Sequence, residues 1–480
     1  MSRSASGDRL ELGPDEMREF GYRVVDLIID HLATLRDQPV TRSSTRDEME
    51  ALFREPMPET PSDPTAVLER VKRDVLSHVM YLNHPRFFGW VPGPINFVSV
   101  MAESIGAALN PFMGSWLVSP APTEIELVTV DWLRQCLGMP EAAGGLLTSG
   151  GSMANLSALA VARRVELNDR ISGAVIYCSD ETHSSIERAV MLLGFEQDQL
   201  RQLPSDDGFR LDPLDLDAAI ERDLLSGLCP FCVVANAGTT NSGAVDPLEE
   251  IAEVCKKRRL WFHVDGAYGA PAVITKAGRP LFRGMERADS ISLDPHKWLF
   301  QPYEVGCVLV RDRRLLPRTF SIFRDYMRDA VGREDEVNLR DYGPQLTRNF
   351  RALKLWMSIQ VFGFEAIRAA ISHGIELAEL AERRLRASDE WEIVTPAQIG
   401  IITFRLVPPR LAASPAEEID ELTRRLGREM YADGYALISS TELAGRPVLR
   451  LCTINPRTRE EDIAGTISKL RSFDRREEGG

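Results

Sequence analysis

Apolar residues along this chain change their period from one stretch to the next. Near the start, Met17, Phe20, Val24, Ile28, Leu32 and Leu35 recur at steps of three and four, the spacing of one helix face. Asp15 and Glu16 stand at its beginning, where carboxylates suit the helix dipole. Val67, Leu68, Val71, Val75, Leu76 and Val79 repeat the pattern, after a polar, proline-containing stretch over residues 37–64. Helices without strands cannot bury an apolar face alone, so this arm is expected to lie on another surface, with a partner subunit as the candidate. Over residues 144–312 the runs shorten to GGLLTS, AVIYCSD, FCVVANAG, LWFHVD, SISLD and GCVLVRD, separated by helical segments. Such runs, rich in Val and Ile, predict a mostly parallel sheet covered on both faces. Ligands of such sheets sit at the carboxyl ends of the strands. Residues 351–362 read as a long helix. GIITFRLVP and VLRLCTINP then read as strands interleaved with helices over 415–430 and 459–470, a small α/β C-terminal domain.

Composition narrows the function classes. The 480 residues exceed one ordinary domain, so two or three units are expected. A formal charge of −14 and the lack of a basic run argue against nucleic-acid or anionic-membrane partners. No stretch approaches the roughly 20 apolar residues that span a bilayer, and the first residues carry no signal-peptide core. A cytoplasmic protein is therefore expected. Seven scattered cysteines do not make a disulfide framework. Cys229 and Cys232 form a C-x-x-C, but Cys232 opens an apolar strand-like run and no second Cys/His pair lies nearby, so no metal site is expected.

Five motifs carry chemistry. In SISLDPHKWLF, Lys297 follows an apolar strand beside His296 and Trp298. A lysine in a partly apolar pocket is pushed toward its neutral, nucleophilic form and condenses with an aldehyde; a surface lysine is the plain alternative. In LWFHVDGAYGAP, Asp265 ends a buried strand and needs a cationic partner, which a protonated pyridine nitrogen would be. Gly266, Ala267 and Gly269 are small enough to leave room for a ring; a structural Asp bonded to loop amides competes. In LLTSGGSMAN, a strand runs through Ser149, Gly150, Gly151 and Ser152 into a helix, a backbone cradle for a phosphate but not a P-loop. In CSDETHSSIERA, His183 follows a strand and opens a helix, where it can stack on a flat ring or serve as a capping or core residue. In NAGTTNSGAVDPL, Thr239 and Thr240 stand at another strand end, either reaching a ring oxygen or bonding their own loop.

Taken in chain order, these motifs resemble the group II PLP-dependent amino-acid decarboxylases, most of all the aromatic-L-amino-acid decarboxylase branch. The stretches EFGYRVVDLIIDHL, HPRFFGWVP, SPAPTEIE and NFRALKLW match as well, so the resemblance spans nearly the whole chain. It implies the type I PLP-dependent (aspartate aminotransferase-like) α/β fold. The expected division is an N-terminal helical arm over 1–85, a large cofactor domain over 86–370 and a small domain over 371–480. It also implies a homodimer with the active site at the interface, which supplies the partner the arm needs. Carried over residue by residue, Lys297 holds pyridoxal 5′-phosphate (PLP) as a Schiff base and Asp265 pairs with the ring nitrogen. Ala267 lies under the ring and His183 stacks on the other face. Gly151 and Ser152 bind the phosphate, Thr239 lies near the ring hydroxyl, and Asp294 and His296 complete the shell. Many relatives have Asn at position 294.

The resemblance also sets the fork within the family. It puts Tyr326 where a mobile-loop Tyr returns a proton to carbon after CO2 leaves; members with Phe there tend to be aldehyde synthases. The charged segment 321–342 has the little-buried character of a lid or of a solvated loop. Trp90, Pro92 and Gly93 form one implied substrate wall, with Phe112 and Gly114 reaching in from the other subunit. These mostly apolar residues favour an aromatic side chain: tyrosine, DOPA, phenylalanine or tryptophan. Relatives often carry Thr at 93 and a bulky aromatic at 114, so two glycines imply a roomier pocket or one filled differently. Thr347 leans toward phenolic substrates, and Arg348 matches a family Arg. The alternatives are an aromatic aldehyde synthase and a decarboxylase of glutamate or cysteine sulfinate. An aminotransferase, a cysteine desulfurase and a non-catalytic homologue fit the motifs less well.

Overall fold

The computed structural model describes residue 10, residues 12–322, residue 333 and residues 336–475. The arm begins with α1 (Pro14–Thr34), whose residues are all at least partly exposed, Met17, Tyr22 and Ile29 among them. The linker-like stretch contains a second helix, α2 (Arg46–Phe53), started by a reciprocal cap: Thr45 Oγ1 accepts from Glu48 N, and Thr45 N donates to Glu48 Oε2. The second apolar repeat is α-helical only as α3 (Pro64–Arg70). It then widens over Val71–Val75 and tightens over Leu76–His78. Val67, Val71, Val75 and Val79 stay exposed, and of the first stripe Leu35 is buried while Phe20, Val24, Ile28 and Leu32 are only partly covered, so much of the arm's apolar surface is left open within this chain among the described residues.

Helices α4 (Phe97–Leu109) and α5 (Pro120–Cys136) lead to the main sheet. Its strands are β1 (Gly144–Thr148), β2 (Ala174–Ser179), β3 (Leu200–Leu203), β4 (Cys229–Asn236), β5 (Trp261–Asp265), β6 (Ser290–Leu293) and β7 (Gly306–Val310). Their spatial order is β1-β7-β6-β5-β4-β2-β3. β3, β2, β4, β5 and β6 pair in parallel, and β7 runs antiparallel to both β6 and β1. The six sequence-read runs are all present. β3 (LRQL) went unread because a half-exposed edge strand needs no continuous apolar run. The connections carry α6 (Gly151–Leu167), α7 (Ser185–Leu192), α8 (Pro213–Leu225), α9 (Leu248–Arg258) and the short α10 (Pro295–Trp298); α11 (Leu315–Phe320) follows β7. β2, β6 and β7 are buried at every position, as expected of strands covered on both faces.

The long helix is longer than the sequence suggested. α12 runs Ala352–Arg386, with Gly363 out of helical geometry at φ 74°, and passes through the expected domain boundary at 370/371. A second sheet, order β10-β11-β9-β8, follows: β8 (Trp391–Gln398), β9 (Ile401–Leu406), β10 (Ser439–Leu443) and β11 (Arg446–Cys452), all antiparallel. α13 (Ala416–Asp433) and α14 (Glu460–Arg475) cover it and enclose a separate core around Phe404, Leu426, Leu449 and Ile463. Among the described residues no helix is long and apolar enough to cross a membrane.

Candidate functional site

The parallel strands end on one side of the sheet, and the loops that leave them close a cavity of about 280 Å³. β1 hands the chain to α6 through Gly150 and Gly151. Met153 N and Ala154 N turn back to Gly150 O, which leaves the amides of Gly151 and Ser152 at the cavity. A Cβ on Gly151 would lie 2.8 Å from Asp294 Oδ2 and 2.9 Å from the Ala267 Cβ, so only glycine lets the backbone come this close. β2 leads to His183 just before α7. β4 leads to Thr239, β5 ends on Asp265, and β6 leads through Asp294 into α10 with His296 and Lys297. All nine sequence-predicted cofactor residues, Gly151, Ser152, His183, Thr239, Asp265, Ala267, Asp294, His296 and Lys297, line this one cavity.

Lys297 Nζ lies 2.8 Å from Asp294 Oδ2. The expectation that apolar surroundings make this amine neutral is not met. Burial, the largest influence, does pull it down, but the Asp294 carboxylate, helped by Asp265, outweighs burial and holds the amine above its ordinary value. Asp294 is 2% exposed and its Oδ1 is buried without a partner. Asp265 accepts from Ala267 N at 3.0 Å, Ser292 Oγ at 3.1 Å and Asn155 Nδ2 at 2.8 Å. These are neutral donors, and among the described residues no Lys or Arg pairs with it. A buried carboxylate facing an open cavity without a cation fits a protonated ring nitrogen. His183 Nδ1 lies 2.9 Å from Ser185 Oγ, and burial chiefly lowers its pKa. His296 is lowered for the same reason; its Nδ1 accepts from Val305 N at 3.3 Å. Thr239 lines the cavity, and its Oγ1 bonds within its own loop, to Ser242 Oγ at 2.8 Å and from Ala244 N at 3.2 Å, as the second of its two sequence readings expected. Trp298 is fully buried and stacks on Tyr268, centroids 5.4 Å apart and planes at 2°. The small residues after Asp265 do not all make room for a ring: a Cβ on Gly269 would lie 2.2 Å from Ala237 O, so its smallness serves packing behind the cavity.

The expected substrate residues lie apart from this cavity's lining. Pro92 and Gly93 are buried and Trp90 is exposed. A Cβ on Gly93 would meet the Tyr303 hydroxyl at 2.9 Å, and the Tyr303 ring packs on His296 with centroids 4.9 Å apart. A Cβ on Gly114 would lie 2.6 Å from the Phe112 ring and 2.8 Å from Leu346 O. Of the two readings of these glycines, the structure therefore favours a pocket filled differently: Tyr303 and Phe112 occupy the vacated space. Thr347 is exposed. Arg348 is shut in the interior: its Nη2 meets Glu126 Oε1 at 2.5 Å and Leu147 O at 2.7 Å, with both charged side chains 0% exposed, while its Nε and Nη1 are buried without a partner. It is not free to receive a substrate's second carboxylate. Tyr326 lies outside the described residues. Sequence reading missed Asn155, Ser292 and Tyr303. The one available signal for Asn155 was a polar residue amid the Ala- and Leu-rich stretch that follows Gly151.

With this geometry in hand, comparison with known proteins is direct. Residues 47–407 match the pyridoxal-dependent decarboxylase conserved domain. The chain is 45% identical over 467 residues to an aromatic-L-amino-acid decarboxylase of Bacillus atrophaeus, covering 97% of each chain. It is 31% identical to a phenylacetaldehyde synthase of Arabidopsis thaliana, covering 94% of each. The crystal structure of Oryza sativa TDC with PLP and tryptamine superposes with a TM-score of 0.91 at 29% identity, covering 96% of this chain and 98% of that one. Fold, cavity and sequence agree: the chain belongs to the pyridoxal-dependent decarboxylase family.

Proposed function

We propose that this enzyme removes the carboxylate of an aromatic L-amino acid as CO2 and releases the amine. The observation that carries this reading is the convergence of Lys297, Asp265, His183 and the start of α6 on one cavity. When bound there, PLP supplies an electron sink for the pair left behind by departing CO2. The chain's own residues do the rest. The Gly151 and Ser152 amides and the α6 dipole hold the phosphate. Asp265 would hold the ring nitrogen's proton, and Ala267 and His183 would pack against the ring. Thr239 and His296 complete the shell, and Lys297 supplies the amine that anchors the group. Asp294 faces that amine, in place of the amide common in relatives.

Trp90, Pro92 and Gly93 on one side, with Phe112 and Gly114 brought by a second copy of the chain, and Thr347 beside them suit an aromatic side chain. Tyrosine, DOPA, phenylalanine and tryptophan are the candidates. The 45% identity to a protein named for aromatic amino acids supports this, as does the locked Arg348, which leaves a glutamate-like side chain no obvious cation. The second copy is proposed from the incompletely covered apolar surface of α1 and α3. A homodimer is the acting form in this reading, with the cytoplasm as its place. Tyr326, which lies outside the described residues, is assigned by resemblance to protonate the substrate carbon. That favours simple decarboxylation over the aldehyde-forming reaction suggested by the Arabidopsis relative's name. Purified protein with PLP, offered tyrosine, DOPA, phenylalanine, tryptophan and glutamate in turn, should yield CO2 and amine in equal amounts from aromatic acids. Peroxide with aldehyde would overturn the use of Tyr326, and amine from glutamate alone would overturn the aromatic pocket.

A further inference from the structure

Asn155 sits between Asp265 and His183. It lies on α6, one turn in from Gly151, and is 1% exposed. Its amide has two N–H donors, and both are engaged: one meets Asp265 Oδ2 at 2.8 Å, the other Ser185 Oγ at 2.9 Å. Its Oδ1 faces His263 Nε2 at 2.9 Å. His263 is fully buried; its Nδ1 meets Ser290 Oγ at 2.9 Å, and that oxygen also receives Trp261 Nε1–H at 2.9 Å.

One set of proton positions satisfies every contact. Turning the amide over would set its oxygen 2.8 Å from a carboxylate oxygen, with no hydrogen between them. Asp265 therefore fixes the amide's orientation. Asn155 Oδ1 must then accept, so His263 carries its hydrogen on Nε2. His263 Nδ1 takes the Ser290 hydroxyl hydrogen, and Ser290 Oγ takes the Trp261 N–H. On the other branch, Ser185 Oγ has accepted from Asn155 and gives its own hydrogen to His183 Nδ1. Ser185 N points at the same nitrogen from 3.2 Å. The remaining hydrogen of His183 is thus on Nε2, for which the described residues offer no partner. Burial lowers both imidazoles, His263 to about 4, so both are neutral near pH 7.

We propose that Asn155 is a positioning residue: its single amide locks the Asp265 carboxylate and, through Ser185, sets His183 as a neutral imidazole that offers Nε2–H to an anionic group in the cavity. This rests on the assignment of the cavity to PLP. In a merely structural role, Asn155 would fill space and satisfy His263 without governing the other two.

Full-length protein loaded with PLP tests the difference through Asn155→Asp, Ser185→Ala and the wild type. Three quantities are read: PLP affinity, the pH midpoint of the bound cofactor's visible band, and the 15N shifts of His183, identified by their loss in His183→Gln. Wild type should bear the hydrogen of His183 on Nε2. Asn155→Asp sets a second carboxylate against Asp265, and should weaken PLP at least tenfold and move the midpoint by about one pH unit. Ser185→Ala should leave the midpoint in place and, with only Ser185 N still directed at Nδ1, shift the His183 15N signals as its hydrogen spends part of its time off Nε2. A wild-type His183 protonated on Nδ1, or a folded Asn155→Asp protein with unchanged affinity and midpoint, overturns the proposal. If Asn155→Asp does not fold, Ser185→Ala decides alone: an unchanged His183 signal overturns it. A wild type that binds no PLP would instead overturn the cavity's assignment.

Discussion

Asp294→Asn removes the nearest of the charges that oppose the chemistry expected of Lys297. The carboxylate, itself 2% exposed, lies 2.8 Å from Nζ at the cavity wall. At an effective dielectric near 20, that separation corresponds to a gross attraction of roughly 6 kcal/mol for the ammonium form. Burial acts in the opposite sense. Only a neutral amine attacks an aldehyde, and about 1.4 kcal/mol is tenfold in the neutral fraction. Losing even a quarter of the attraction should therefore speed PLP uptake by the cofactor-free protein at least tenfold near pH 7.5, read by stopped-flow absorbance. The carboxylate also repels the incoming phosphate, but that effect does not fade as Lys297 deprotonates. The variant's advantage should therefore shrink steadily as pH rises toward the lysine's own range. Equal rates at pH 7.5, or an advantage that is the same at every pH, would refute the argument.

Gly93→Thr should drive the Tyr303 ring off its seat and raise KM for aromatic acids about tenfold; Tyr303→Ala in the same chain should recover part of the loss, measured by steady-state kinetics. Arg348→Met strands the Glu126 carboxylate in the interior and should cost about 3–5 kcal/mol by denaturant unfolding, with Glu126→Gln in the same chain restoring much of it. His84 is buried, and burial lowers its pKa to about 4. Its folded pKa lies below the unfolded 6.5, so the unfolded chain takes the proton first. Stability is full above about pH 6.5 and falls as pH drops toward 4, by up to about 3 kcal/mol. His84→Asn keeps an acceptor for Arg86 N and should flatten that part of a urea-midpoint profile.

The main sheet was legible because six of its strands are buried over most or all of their length and so read as largely apolar runs. The edge strand LRQL and the hairpin strand SSTEL carry polar residues on an open face and left no such run. The cofactor residues were legible because each stands at a strand end, where a polar residue interrupts an apolar stretch. Asn155 was not, because its partners Asp265, Ser185 and His263 are 110, 30 and 108 residues away and meet only once the sheet has formed. Tyr303 escaped for a related reason: its place against Gly93 depends on a contact across more than 200 positions. The charge on Lys297 was misread because a local apolar context was weighed without the carboxylate three residues before it.

Helix α12 has a further consequence. Ile367, Ile371 and Ile375 belong to the large core, whereas Leu377, Ala381 and Leu385, on the same helix, belong to the small one. The two cores therefore share a structural member and are not merely tethered by a linker. Cutting the chain at 370 would take Ile371 and Ile375 from the first core and expose the amino-terminal edge of the second. Neither fragment would hold the whole of its own interior. Heat should then melt both units in one calorimetric transition, and evolution could exchange the small domain only by grafting it beyond Arg386 or by carrying the helix with it.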